Sequence, residues 1–276
     1  MSIGYALGNV ALAARAYENW PEVIAAIAKK QEPAKVILKN GFTIEAEVGL
    51  RFLVREIFFT RVYNPSYLPI EDNDIVVDIG ANNGIFTLFA ASITHNAVHA
   101  FEPSPRNIEV LRRNITANGL HHVTAHCYAV SDKPGSAKLF LNAADGQQNL
   151  LSDQILPAKI EQYKTCTDVN YLIPRNDEAV TSIEVPTTTL QEIIDSNNLE
   201  RIDFLKLDCE GAESPILQST PTSYLQRVRK IAMEFHDHLS ELNHNDLQHI
   251  LESAGFHTRL KWDGRSPLGY MYAWQD

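Results

Sequence analysis

Positive charge is scarce in this chain. Its 24 Lys and Arg residues face 34 Asp and Glu, a formal net charge of −10 at pH 7. That balance argues against non-specific binding to nucleic acid or to anionic membranes, both of which need basic patches. Cysteine is scarcer still. Cys127, Cys166 and Cys209 are scattered and odd in number, which fits a reducing cytosol rather than a disulfide scaffold, and their spacing makes no zinc site. No apolar run approaches the ~20 residues that span a bilayer. Met1 to Arg15 is mildly apolar but lacks a basic leading region, so no signal peptide is expected and a cytoplasmic location is. The Gly-x-Gly-x-x-Gly of dinucleotide binders and the Gly-Lys-Ser/Thr of a P-loop are also missing, which disfavours a pyrophosphate cradle and a dinucleotide-dependent oxidoreductase.

What is present centres on Ile75-Val76-Val77-Asp78-Ile79-Gly80-Ala81-Asn82-Asn83-Gly84-Ile85-Phe86-Thr87. Its β-branched start predicts a short buried strand, followed by a glycine-bounded turn and the opening of a helix. Gly80 and Gly84 let the backbone turn tightly and approach a ligand with no Cβ in the way. An acidic residue at the strand end, Asp78, suits a ligand with a cationic or hydroxylated part, such as S-adenosylmethionine. Val98 to Glu102 reads as the next strand, and Glu102 falls 24 positions after Asp78. In nucleotide-binding α/β units an acidic residue about 20 positions on accepts the ribose hydroxyls. Together the two carboxylates predict a nucleoside-binding α/β domain.

At 276 residues the chain is one large α/β domain or a core with an appendage. We expect a front section, residues 1–71, to pack on a core of residues 72–276. Apolar spacing from Leu7 to Lys30 predicts two helices broken at Pro21. Alternating runs around Asn40-Gly41 predict a β-hairpin. A helix follows over Leu50 to Tyr63, with Phe52, Leu53, Ile57 and Phe58 on one side. Tyr63 and Tyr67 either line a cleft or simply pack. Further along, Pro105 to Gly119 reads as a helix and His122 to Val130 as a third strand. Ser131 and Asp132 at its end are adenine-pocket candidates. Asn142 to Val180 loses all periodicity and is far longer than an ordinary connection, which predicts a substrate lid. Ile202 to Asp208 is a buried strand opening into carboxylates around Gly211. In Arg229 to His238, Glu234, His236 and His238 alternate and so share one strand face. Two final strands, Phe256 to Trp262 and Tyr270 to Trp274, close the chain.

These stretches resemble, in content and order, the FkbM-type methyltransferase family. The likeness rests on Val76 to Gly84, Phe101-Glu102-Pro103, Val185 to Leu190, Leu205-Lys206-Leu207-Asp208-Cys209-Glu210-Gly211-Ala212-Glu213 and Glu234-Phe235-His236. It spans roughly residues 73 to 240, and Asp-x-Glu-Gly-Ala-Glu is its most distinctive element. The resemblance implies a class I, Rossmann-like methyltransferase that uses S-adenosyl-L-methionine, usually on a hydroxyl oxygen. It implies a seven-stranded sheet with an antiparallel edge strand. Asp78, Gly80, Ala81, Asn83 and Gly84 would hold the methionine part, Glu102 the ribose, and Asp208 the amino or sulfonium end.

Methyl transfer to a hydroxyl needs in-line positioning and a base for the departing proton. The expected base is His236, oriented by Glu234 or Glu210 and with Asp208 beside it. A divalent metal held by Asp208, Glu234 and His236 is a second arrangement for the same residues, although no metal is assigned. Glu213 reads as a helix N-terminal carboxylate. The expected acceptor is a small or medium polyhydroxylated molecule: a sugar, a glycolipid head group or a secondary metabolite. Rival readings are N-methylation of a peptide or amine, and a non-catalytic interaction module that keeps the fold.

Overall fold

A computed structural model of the chain describes residues 13–46, 49–141, 149–150 and 181–276. The expected lid falls almost wholly outside these residues.

A short helical segment over residues 13–16 precedes helix α1 (Trp20–Ala28). The break lies at Tyr17 to Asn19, before Pro21 rather than at it. Pro21 occupies the first turn of α1, where its missing N–H would have had no helical partner anyway. Strands β1 (Lys35–Ile37) and β2 (Thr43–Glu45) form the expected antiparallel hairpin. Helix α2 (Leu50–Val54) then passes into a π-helical turn over Arg55–Phe59. Leu50, Val54 and Ile57 enter the core, while Phe52 is 64% exposed.

The core alternates strands and helices: β3 (Val76–Ile79), α3 (Ile85–Ala91), β4 (Val98–Phe101), α4 (Pro105–Ala117) and β5 (Val123–His126). The third strand is shorter than expected. After His126 the chain leaves this sheet, and β6 (Ala129–Val130) joins a second one with β7 (Gly135–Leu141), β8 (Asn149–Leu150) and β9 (Thr181–Thr188), in the order β6-β9-β7-β8. Helix α5 (Leu190–Ser196) leads back to β10 (Ile202–Leu207), followed by α6 (Glu213–Ser219) and α7 (Thr222–Leu225). The chain ends with β11 (Val228–His236), α8 (His244–Ser253), β12 (His257–Lys261) and β13 (Leu268–Trp274).

The main sheet has seven strands in the order β12-β13-β11-β10-β3-β4-β5. Only β13 runs against its neighbours, and it lies one place inside the edge, between β11 and β12. Both faces are covered, as a largely parallel sheet requires. One face, with Val77, Leu205, Leu207 and Met233, packs with Ile216, Leu217, Leu247 and Leu251 of α6 and α8. The other, with Val76, Phe204, Ala232 and Tyr272, shares a buried cluster with Val36, Ile44, Leu50 and Phe86. The front section and α3 thus cap this second face, which ends in charged side chains. No helix among the described residues is long and apolar enough to cross a membrane.

Candidate active site

Strand order reverses between β3 and β10, and ligands of open α/β sheets bind beyond the carboxyl ends of the strands at such a point. A cleft of about 340 Å³ opens there. One of its ends is built by the loop after β3, by Glu102 and Pro103 after β4, and by Tyr128 to Val130 after β5.

The loop after β3 is held from behind. Gly80 and Ala81 both donate their N–H to the Phe101 carbonyl at 3.0 Å. Gly80 has φ +79°, and a Cβ there would stand 1.7 Å from the Asp208 carbonyl oxygen. A Cβ on Gly84, at φ +84°, would stand 2.2 Å from Leu111 Cδ1. At both glycines the space a Cβ would need is taken by neighbouring parts of this chain, and Gly80 also lines the cleft. Ala81, Asn82 and Asn83 do line the cleft, but Gly84 does not.

Asp78 also departs from expectation. It is fully buried, accepts the Thr87 hydroxyl at 2.6 Å and lies 3.3 Å from the Lys206 ammonium. It sits beneath the loop and not on the cleft. A carboxylate at this depth needs a cation, and Lys206, opposite it in strand register, provides one.

Glu102 sits where the sequence placed it, on the cleft. Its carboxylate accepts the N–H of Asn82 at 2.8 Å, the N–H of Ser104 at 2.9 Å and the Asn107 amide at 3.3 Å. Burial outweighs these bonds and pushes its carboxyl up to about 7. Ser131 and Asp132 are not brought in. They follow β6 into the second sheet, and Tyr128, Ala129 and Val130 line the cleft in their place.

The other end of the cleft is acidic. Asp208 follows β10, and Glu234 stands near the end of β11. Lys206, buried between Asp78 and Asp208, donates to the Gly80 carbonyl at 2.7 Å and lies 3.3 Å from Asp208 Oδ2. Burial alone would lower its pKa, but Asp208 and Asp78 outweigh that and raise it. Lys206 is the functional residue the sequence reading left without a role. A lysine flanked by Leu205 and Leu207 inside a strand was the signal, because a buried ammonium must be paired.

The Tyr63 hydroxyl lies 2.9 Å from Asp208 Oδ2 and 3.1 Å from Glu234 Oε2, so Tyr63 belongs to the cleft. Tyr67 does not; it packs against Tyr272 under Arg259. One hydroxyl hydrogen serves one carboxylate. Burial, then the neighbouring Asp208, pushes the Glu234 carboxyl up to about 8. Asp208 is held below its ordinary value: burial opposes this, and the Lys206 charge prevails. Near neutrality the chain of hydrogens therefore runs from protonated Glu234 to Tyr63 to ionised Asp208.

His236 does not fit the role of free base. It is 5% exposed and stands behind the residues that line the cleft. Its Nδ1 lies 3.2 Å from Glu213, and its Nε2 lies 3.5 Å from Glu210. Burial would lower its pKa, yet these two carboxylates raise it well above the usual value, which favours the protonated ring. Its main partner is Glu213, rather than Glu234 or Glu210. Glu213 opens α6 as expected and also accepts the N–H groups of Cys209 and Gly211 at 2.8 and 2.9 Å. Glu210 lines the cleft with a left-handed backbone, φ +53°. His238 lies in the turn beyond β11.

Asp208, Glu234 and His236 offer donor atoms within 4.8 Å of one another, the spacing a metal ion would need. Lys206 already supplies Asp208 with a cation, however, and the Tyr63 hydroxyl bridges the two carboxylates.

The sheet order, the switch-point cleft and its paired carboxylates define a Rossmann-like α/β protein of the class I methyltransferase type. Residues 78–258 match the methyltransferase FkbM domain. The 31-O-demethyl-FK506 methyltransferase FkbM of Streptomyces tacrolimicus is 31% identical over 72% of this chain and 80% of its own length. Methyltransferase 1 of Beauveria bassiana is 27% identical over 80% of this chain and 88% of its own. A crystal structure of methyltransferase FkbM from Methylobacillus flagellatus covers 99% of this chain and 59% of that one, at 14% identity and a TM-score of 0.46. The chain belongs to the FkbM methyltransferase family and is an S-adenosylmethionine-dependent methyltransferase.

Proposed function

We propose that the chain methylates a hydroxyl oxygen of a small or medium-sized hydroxylated molecule, with S-adenosylmethionine as donor. The observation that carries this reading is Glu234: a half-buried carboxyl on the cleft, pushed up to about 8, beside an ionised carboxylate. Hydroxyl methylation needs a proton acceptor near the working pH, and Glu234 is tuned to be one.

The cleft suits this donor. Glu102 would hold the ribose hydroxyls, the loop edge from Gly80 to Asn83 the methionine part, and Tyr128 and Val130 the base; all of these residues line the cleft. The carboxylates of Asp208, Glu210 and Glu234 complement an ammonium and a sulfonium. Bound here, S-adenosylmethionine supplies an electrophilic methyl group on a cationic sulfur. Asp208, fixed by Lys206 and Tyr63, stabilises positive charge beside it. Glu234, in its ionised form, takes the acceptor proton. The His236 imidazolium, held by Glu213, restrains the Glu234 pKa from below the cleft. Support for oxygen as the acceptor comes from the relative named for 31-O-demethylated FK506.

The test is methyl-labelled S-adenosylmethionine offered with a panel of alcohols and a panel of primary amines. Label passing to an alcohol oxygen, and lost in Glu234→Gln, is the expected result. Label passing only to amines, untouched by that substitution, would overturn the hydroxyl reading in favour of N-methylation.

A further inference from the structure

Three asparagines run down one side of helix α4. Asn107, Asn114 and Asn118, the last just past the helix end, are seven and four positions apart and so fall on one face. Asn107 and Asn114 are buried, Asn114 completely. A side-chain amide at that depth must find partners.

The partners of Asn114 come from two separate parts of the chain. Its Oδ1 accepts the Glu45 N–H at 2.8 Å, and its Nδ2 donates to the Glu45 carbonyl at 2.8 Å. Asn118 clamps Thr43 in the same manner, accepting its N–H at 2.8 Å and donating to its carbonyl at 2.7 Å. Thr43 and Glu45 are alternate residues of β2. In a two-stranded hairpin alternate residues turn their N–H and C=O away from the partner strand. The two amides satisfy that open edge as a third strand would.

The two asparagines differ in one bond. Nδ2 of Asn114 also donates to the Asn83 carbonyl at 2.8 Å, so each of its two hydrogens serves one carbonyl. Asn118 instead turns back to the Asn114 carbonyl, at 2.7 Å. Asn83 lines the cleft and is the last residue before Gly84 opens α3. Earlier in the loop, Gly80 and Ala81 are held by the Phe101 carbonyl and the Asn82 N–H by Glu102. Asn114 fixes the end of the loop that those bonds do not reach. Its own position is set by the Glu45 peptide, 69 positions away.

We propose that Asn114 is a positioning residue for cofactor binding. It ties the loop at Asn83 to the N-terminal hairpin, so the hairpin supports S-adenosylmethionine binding although none of its residues lines the cleft. The proposal rests on the reading of the cleft as the cofactor site and gives the front section a part in it. Such a tie is reciprocal: a ligand that steadies the loop also steadies the Glu45 peptide.

The experiment is calorimetric titration of the full chain with S-adenosylhomocysteine, in the parent, N114A and N118A, each checked for folding by chemical denaturation. Both substitutions release the hairpin edge at one peptide, but only N114A also frees the Asn83 carbonyl. N114A should weaken binding about ten-fold, near the worth of one hydrogen bond. N118A should stay within about two-fold of the parent. Because N114A leaves buried backbone groups unpaired, amide hydrogen exchange on the parent protein gives a second reading that needs no variant. Saturating S-adenosylhomocysteine should slow exchange of the Glu45 N–H at least about five-fold, and that of the Thr43 N–H less. A folded N114A that binds like the parent, equal losses in the two variants, no slowing at Glu45, or equal slowing at Thr43 would each overturn the proposal. A folded parent that binds no S-adenosylhomocysteine would overturn instead the reading of the cleft as the cofactor site.

Discussion

Strands β3 and β10 lie side by side, and both run out through an aspartate into a glycine turn: Asp78-Ile79-Gly80 in one, Asp208-Cys209-Glu210-Gly211 in the other. In sequence the two turns look alike. In the structure Asp78 is sealed beneath its loop by Thr87 and Lys206, and the cleft meets the loop residues that follow it. Asp208, one residue past its strand, reaches the cleft with Glu210. The same lysine joins them, one oxygen of each carboxylate lying 3.3 Å from its ammonium. On the proposed reading one turn is framework and the other is chemistry, and a single step of the chain past the strand end separates the two.

Substitutions break this comparison unequally. The largest loss of stability is expected for Gly80→Ala, whose Cβ would stand 1.7 Å from the Asp208 carbonyl at a positive φ. We expect destabilisation of more than about 3 kcal/mol, read by chemical denaturation, because backbone must move. Asp78→Ala leaves Lys206 short of a buried partner and should cost about 3–5 kcal/mol. Asp208→Asn, at a partly exposed site, should change stability far less while lowering turnover.

Effects on chemistry come next. Glu234→Gln should lower kcat by about 10²–10⁴-fold, with S-adenosylhomocysteine affinity unchanged. In the parent enzyme the rate should rise with pH towards a limb near 8, as Glu234 loses its proton, and the substitution should remove that limb. His236→Ala should slow turnover less, by about ten-fold. It should also move the limb to higher pH, because the imidazolium that lowers the Glu234 pKa is gone. A larger loss from His236→Ala than from Glu234→Gln would return the base to His236.

A smaller effect follows from linkage. Glu234 and Glu102 hold their protons in the folded state up to about 8 and about 7, whereas an unfolded carboxyl releases its proton near 4.5. Between those values the folded state binds more protons, so these groups favour folding at low pH and lose that contribution as pH rises. Denaturation midpoints of Glu234→Gln should fall less steeply than those of the parent from pH 5 to 8. The smallest effect expected is that of a chelator, which should leave turnover unchanged.

Much of the fold was legible because β-branched runs and helix stops carry local signals. The Asn40-Gly41 hairpin, the helix from Pro105 and the strand from Ile202 all lie where periodicity placed them. What local pattern could not show was depth. Asp78 and Glu102 read alike as strand-end acids, yet only Glu102 reaches the cleft. The reach of Tyr63 to Asp208 spans 145 positions, and the Glu56–Tyr270 pair spans 214, separations that no local rule sees. The π-helical turn likewise gave no sign in the spacing of its apolar residues, and grouping Phe52 with Leu53, Ile57 and Phe58 on one side did not show which of them would be buried. Ser131 and Asp132 were misplaced because the departure of the chain from the main sheet after His126 is a tertiary event.

The most direct test of the cleft as a cofactor site is calorimetric titration with S-adenosylhomocysteine, run on the parent protein and on Glu102→Gln, each checked for folding. Micromolar binding at one site, weakened at least about ten-fold by the substitution, is the expected result. A folded parent protein that binds nothing, or a Glu102→Gln variant that binds as tightly as the parent, would contradict it.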